Sequence, residues 1–122
     1  MVRSDYTISI QPEYVLVERP EDYGVILREM PAMLSRLSAV CEEVECRKVL
    51  IRGSKTHVDL ETLDVFDLGE QIAEVHLQIA VVEHHDASDE DESLLETVAS
   101  NRGGPLRFFS AEKEAKDWLG VS

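Results

Sequence analysis

Residues 107–119 hold the junction that most narrows what this chain can fold into. Arg107-Phe108-Phe109 closes an apolar run, and Ser110 leads straight into Ala111-Glu112-Lys113-Glu114-Ala115-Lys116-Asp117-Trp118-Leu119. Ala111, Ala115, Trp118 and Leu119 stand at i, i+4, i+7 and i+8, one face of a helix, while lysines and acids take the other. Ser110 is placed to cap that helix, and Glu112 and Glu114 suit its positive end. The expectation is a last strand running directly into a closing helix whose Trp118 docks on the sheet.

The same alternation runs through the whole chain. Tyr6-Thr7-Ile8-Ser9-Ile10 has period two, with Tyr6, Ile8 and Ile10 on one face, and reads as a half-buried strand. A short turn at Gln11-Pro12-Glu13 leads to Tyr14-Val15-Leu16-Val17-Glu18, most simply paired antiparallel to the first strand. Pro20, Glu21 and Asp22 open a helix. Its stripe is Leu27, Met30, Leu34, Leu37, Cys41 and Val44. Pro31 falls inside that stripe, and an internal proline costs about 3 kcal/mol, so a kink or a second helix start is expected there.

Residues 47–52 form the third strand, with the continuous apolar centre Val49-Leu50-Ile51 typical of an interior parallel strand. After the loop Gly53-Ser54-Lys55-Thr56-His57, residues 59–74 read as helix, burying Leu60, Leu63, Phe66, Ile72 and, just beyond, Val75. Gly69 weakens this helix by about 1 kcal/mol relative to alanine, which points to a close helix–sheet approach. Residues 77–82 are the fourth strand. A polar, acidic stretch from His84 to Glu92 runs into a short helix through Leu94, Leu95 and Val98. Asn101-Arg102-Gly103-Gly104 ends it, with Pro105 enforcing the stop.

The order is β-β-α-β-α-β-α-β-α. Helices between strands imply crossovers, which are right-handed almost without exception. The fold expected is a single α/β domain over residues 1–122. It is a β-α superhelix with a mixed five-stranded sheet, an N-terminal antiparallel strand pair and helices packed against the sheet.

Length and charge restrict function. The chain has 122 residues, 43% of them hydrophobic, enough to bury about two thirds of its unfolded surface without a structural metal or disulfides. A net charge of −13 repels phosphate backbones and anionic membranes, and no basic stripe with interleaved aromatics is present. Nucleic acid and membrane are therefore excluded as partners. Cys41 lies on the apolar face of the long helix and Cys46 at the turn after it. Five residues apart at a helix end is a poor fit to a disulfide. With no leader or membrane-length apolar run, a reducing cytoplasm is the expected location.

Four segments carry a family resemblance: Arg47-Lys48-Val49-Leu50-Ile51, Phe66-Asp67-Leu68-Gly69-Glu70, Ile79-Ala80-Val81-Val82, and the ending from Phe108 to Leu119. From about Tyr6 to Leu119 the chain resembles the STAS domains (sulphate transporter and anti-sigma-factor antagonist). The similarity is to their SpoIIAA-like branch, which is akin to CRAL-TRIO lipid-binding domains. The resemblance implies a non-enzymatic role in binding a partner protein or a small apolar or anionic ligand. One departure matters. Regulatory STAS domains carry a phosphorylatable serine in an Asp-Ser-Ser-Gly-Leu-like segment, matched here by Asp59-Leu60-Glu61-Thr62-Leu63. Leu60 and Glu61 occupy the serine positions, so no phosphosite carries over.

Sites in open α/β sheets gather beyond the carboxyl ends of parallel strands. That rule singles out Ser54, Lys55 and His57 after the third strand and His84, His85 and Asp86 after the fourth. His57 with His84, His85 and Asp86 could ligate zinc or exchange protons near neutral pH, although no HExxH spacing exists. Gly53-Ser54-Lys55-Thr56 offers donors for a phosphate or carboxylate but lacks Walker A spacing. Asp86, Ser88, Glu90 and Glu92 alternate oxygens like a calcium loop, without its glycine or terminal glutamate. Met30 and Met33 could line an adaptable apolar pocket, though core packing explains them as well.

The leading expectation is a ligand- or partner-binding module using Ser54, Lys55, His57, His84 and His85, with no cofactor and no catalytic set. Two others stand beside it: a carrier of an apolar or acyl ligand beside Met30 and Met33, and a metal-dependent enzyme built on the loop histidines. A homodimer through the exposed sheet face is expected if every helix packs on the opposite one.

Overall fold

A computed structural model of the protein describes residues 6–20, 29–54, 62–84 and 90–121. In chain order the elements are β1 (Thr7–Ile10), β2 (Val15–Glu18), α1 (Met30–Glu43), β3 (Lys48–Ser54), α2 (Thr62–Glu74), β4 (Gln78–His84), α3 (Glu90–Asn101), β5 (Leu106–Phe109) and α4 (Glu112–Leu119). The strands lie in the order β1-β2-β3-β4-β5. β1 is antiparallel to β2, and β2 through β5 are parallel. This is the α/β architecture that the alternation implies.

Side chains alternate across a strand, so one sheet supplies two cores. Val15, Val17, Val49, Ile51, Ile79, Val81 and Leu106 face α1, α2 and α3, meeting Met30, Met33, Leu34, Leu37, Cys41, Leu68, Ile72, Leu95 and Ala99. Leu16, Leu50, Ala80 and Val82 face the other way and are covered by Ala115 and Leu119 of α4. Cover on both faces is why Val49-Leu50-Ile51 reads as a continuous apolar run rather than an alternation. Leu37, Leu50 and Leu119 are among the largest fully buried side chains, each contributing about 1.5–3 kcal/mol by burial. Because α4 occupies the second face, that face is not the bare surface on which a face-to-face dimer was expected.

Several local expectations are refined. α1 starts at Met30 with Pro31 in its first turn, where a missing N–H costs nothing, so the proline marks a start and not a kink. The helix opening at Pro20-Glu21-Asp22, with Leu27, falls on residues 21–28, outside the described residues. Ser110 does not cap α4. Ala111, in an extended conformation, takes that position with no side-chain bond, because the chain needs both residues to cross from the sheet edge to its second face. Ala111 is exposed, whereas Trp118 is half-buried and packs on Phe109 with ring centroids 5.8 Å apart. In α2 the buried residues include Leu68, Ile72 and Ala73, and Phe66 faces outward at 41% exposure. Leu60 falls outside the described residues. Gly69 marks a helix–helix contact, not a helix–sheet one: a Cβ there would stand 2.6 Å from Val98 Cγ1.

Every described helix ends in a left-handed residue. Gly103 (φ 89°) and Gly120 (φ 75°) follow α3 and α4 at no steric cost, but Glu45 (φ 54°) and His76 (φ 51°) follow α1 and α2. At α1 the Cys46 N–H reaches back to the Cys41 carbonyl at 2.9 Å, and at α3 the Gly104 N–H reaches the Ala99 carbonyl at 2.9 Å. These are the six-to-one bonds of a Schellman cap.

Candidate functional site

β3 and β4 both run one turn of the ladder further than their apolar centres suggest, and this builds the candidate site. Gly53 pairs with Glu83 and Ser54 with His84, in register, at the carboxyl ends of two adjacent parallel strands. Neighbouring strands are about 4.8 Å apart, so the structure brings these two predicted site residues side by side. Gly53 and Ser54 are therefore strand residues, and the rest of the Gly53-Ser54-Lys55-Thr56 segment follows beyond β3. Lys55, His57 and His85 lie outside the described residues, together with Thr56, Asp86 and Ser88. Glu90 and Glu92 belong to the first turn of α3 and not to a loop.

The face each helix takes decides where a crevice opens. α1, α2 and α3 return on one face and α4 on the other. Adjacent strands β4 and β5 thus send their following segments to opposite sides, which is the topological switch at which open α/β sheets bind ligands. His84 ends β4 at this switch, and Ser110 follows β5 across from it. The sequence marks Ser110 only as a cap. The signal that could have found it is the apolar parity of Leu16, Leu50, Ala80 and Val82, which requires a helix on the second face.

Beside the switch, on the α4 face, a polar cluster closes the sheet end. Arg52 Nη1 donates to Glu112 Oε1 at 2.9 Å, and Nη2 lies 3.5 Å from Glu18 Oε2. Lys116 Nζ stands 3.6 Å from Glu112 Oε2, one turn along α4. The hydrogen bond from Arg52, reinforced by its charge and that of Lys116, holds the Glu112 carboxyl below the usual range; the same bond raises Arg52. These residues tie β2, β3 and α4 together, so the rim beside Ser54 and His84 is braced. Gly53 serves the same rim: a Cβ there would meet Arg19 Cβ at 2.8 Å, where the Arg19 N–H bonds to the Arg52 carbonyl at 3.0 Å.

Two open cavities lie elsewhere. A cleft of about 550 Å³ at the amino end of the sheet is lined by Cys46, Arg47, His76, Leu77, Pro105 and Gly120 among others. Two of its polar side chains are engaged: Arg47 Nη1 donates to the His76 carbonyl at 3.0 Å, and Cys46 Sγ to the Glu13 carbonyl at 3.5 Å. A groove of about 470 Å³ runs between α1 and α2 past Pro31, Leu34, Ser38 and Gln71, whose buried Oε1 has no hydrogen-bond partner among the described residues. Met30 and Met33 line neither; they are 5% and 4% exposed within the main core. Cys41 and Cys46 are free thiols, and burial pushes the Cys41 thiol up to about 11. Among the described residues no group of three or more His, Cys, Asp or Glu is arranged to hold a metal ion, and no helix is long and apolar enough to cross a membrane.

No protein-family model and no curated protein matches the chain.

Proposed function

We propose that the protein is a non-enzymatic binding module of the SpoIIAA-like class, working in the cytoplasm. It takes a small anionic or apolar ligand, or a segment of a protein partner, at the carboxyl edge of its sheet. The observation that carries this reading is the register of Ser54 with His84 next to the helix-face switch between β4 and β5. A hydroxyl-bearing and an imidazole-bearing residue end adjacent parallel strands there, at the carboxyl edge where open α/β sheets gather their ligands. The sequential parallel order from β2 to β5 supports the class, since right-handed crossovers in chain order make a β-α superhelix. The Arg52–Glu112–Glu18 cluster, which ties β2, β3 and α4 together, gives the described part of that sheet end a braced rim against which a ligand could rest.

Thermal unfolding in the presence of phosphate, acetate and octanoate tests this. One of these probes should raise the melting temperature of the wild-type protein. The Ser54→Ala, His84→Ala double variant, of unchanged stability alone, should lose that rise. A rise that persists in the variant would put the site elsewhere, and a protein unmoved by phosphate, acetate and octanoate would contradict a small anionic or apolar ligand at this edge.

A further inference from the structure

The two edges of the sheet are finished differently. On β5 the Pro105 carbonyl accepts from the Ile79 N–H at 2.9 Å, so residues 105, 107 and 109 turn their backbone groups toward β4 and Phe108 turns its own outward. That outward N–H is plugged: it donates to Glu96 Oε1 of α3 at 2.7 Å. Exposed Arg107 adds a charge on the same strand. A covered edge and an edge charge are both devices against the addition of another strand.

β1 has neither device among the described residues. The Gln11 N–H donates to the Tyr14 carbonyl at 2.9 Å, which makes 9–16 and 7–18 hydrogen-bonded pairs in the β1–β2 register. Ile8 and Ile10 therefore present their N–H and C=O groups on the outer edge. Thr7-Ile8-Ser9-Ile10 carries no charge, although charged residues make up 30% of the chain and each of the other four strands holds at least one. Its register is unbroken by a bulge, and Ile10 is 59% exposed on the α1 face of the sheet.

We propose that β1 is a homodimer edge, on which β1 of a second copy pairs antiparallel about a twofold axis at Ser9. Ile8 then exchanges both backbone bonds with Ile10 of the other copy, and Ser9 faces Ser9 in the non-hydrogen-bonded position between them. The outward groups recur every second residue and are self-complementary about that axis, so the contact is isologous and closes at two copies. Charge selects the occupant. Two chains of −13 repel one another, and the four residues of β1 put no charge of their own into the contact, whereas every other described strand would. Ile10 gains cover from the second copy's Ile8, on the face where Ile8 already packs on the core. Two five-stranded sheets become one continuous sheet.

Sedimentation velocity across protein concentrations, at low and high sodium chloride, tests the pairing. A reversible dimer that tightens as salt screens the repulsion is expected. Ile10→Lys, at an exposed position, should weaken it by roughly tenfold or more without loss of fold. Ser9→Cys in a Cys46→Ser background fixes the register. Antiparallel non-hydrogen-bonded partners have Cα atoms about 4.5 Å apart, within disulfide range, so mild oxidation should crosslink Ser9→Cys and not Ile10→Cys. A monomer at every concentration and salt, a dimer indifferent to Ile10→Lys, or crosslinking at Ile10→Cys in place of Ser9→Cys would each overturn the proposal.

Discussion

Gly69 of α2 lies against Val98 of α3 so closely that a Cβ on the glycine would stand 2.6 Å from Val98 Cγ1 and 2.9 Å from its Cβ. Two helices on the same sheet face are thus held at a spacing that a side chain at 69 would break.

Alanine is worth about 1 kcal/mol more than glycine inside a helix. At position 69 the clash wins. Gly69→Ala is expected to destabilise the protein by about 1–3 kcal/mol through overpacking, read as a lower urea midpoint at unchanged slope. Adding Val98→Ala should recover part of that loss, because it removes Cγ1, the closer of the two clashing atoms, and leaves only the contact with Cβ.

His76 shows the opposite case. Its φ of 51° ends α2 in a conformation that costs a non-glycine residue about 1–2 kcal/mol. The bond from Arg47 goes to the His76 carbonyl, which any residue keeps. His76→Gly should therefore stabilise the fold by about 0.5–1 kcal/mol, after the extra entropy of glycine in the unfolded chain is subtracted. Chemical denaturation of the single variant measures it, and a lower midpoint would show that the imidazole itself contributes to the cap.

Glu112 predicts a direction with pH. Its carboxyl is held below the usual range, so it adds stability above the unfolded glutamate value near 4.5 and loses it as pH falls through the folded value. Arg52 and Glu112 side chains are 43% and 35% exposed, so the pair contributes at most about 1 kcal/mol. Glu112→Gln should lower stability at pH 7 by that order, and the difference from the wild type should shrink as pH falls through the folded Glu112 value, below which both side chains are neutral. A deficit that persists undiminished in acid would assign the effect to packing.

Thiol chemistry separates the two cysteines. Cys41 is 2% exposed with its thiol pushed up to about 11, whereas Cys46 is half-buried at the amino-end cleft. Iodoacetamide at neutral pH should label Cys46 in the native protein and reach Cys41 only after denaturation. Peptide mass mapping reads the two sites directly, and native labelling of Cys41 would mean that α1 opens locally.

The periodicity of the sequence carries the element order, the antiparallel start and the parallel remainder, because apolar spacing switches between 2 and 3.6 residues at each junction. It does not say which sheet face a helix takes. Ala115 and Leu119 look the same whether α4 joins the other helices or crosses over, and only the depth of Leu16, Leu50, Ala80 and Val82 separates the two. Gly69 was legible as a close approach, but its neighbour, Val98, lies 29 residues on and is fixed only by tertiary packing. At the candidate site Ser54 and His84 were legible as loop-edge residues. Their mutual register was not, since it depends on how far the β3–β4 ladder extends past its apolar centre.

Amide-resolved NMR of the labelled protein, titrated with the probe that raises its melting temperature, tests the carboxyl-edge site most directly. Shifts concentrated at Ser54, His84 and Ser110 are the predicted result. Shifts confined to Cys46, Arg47 and Gly120 at the opposite end of the strands would contradict it.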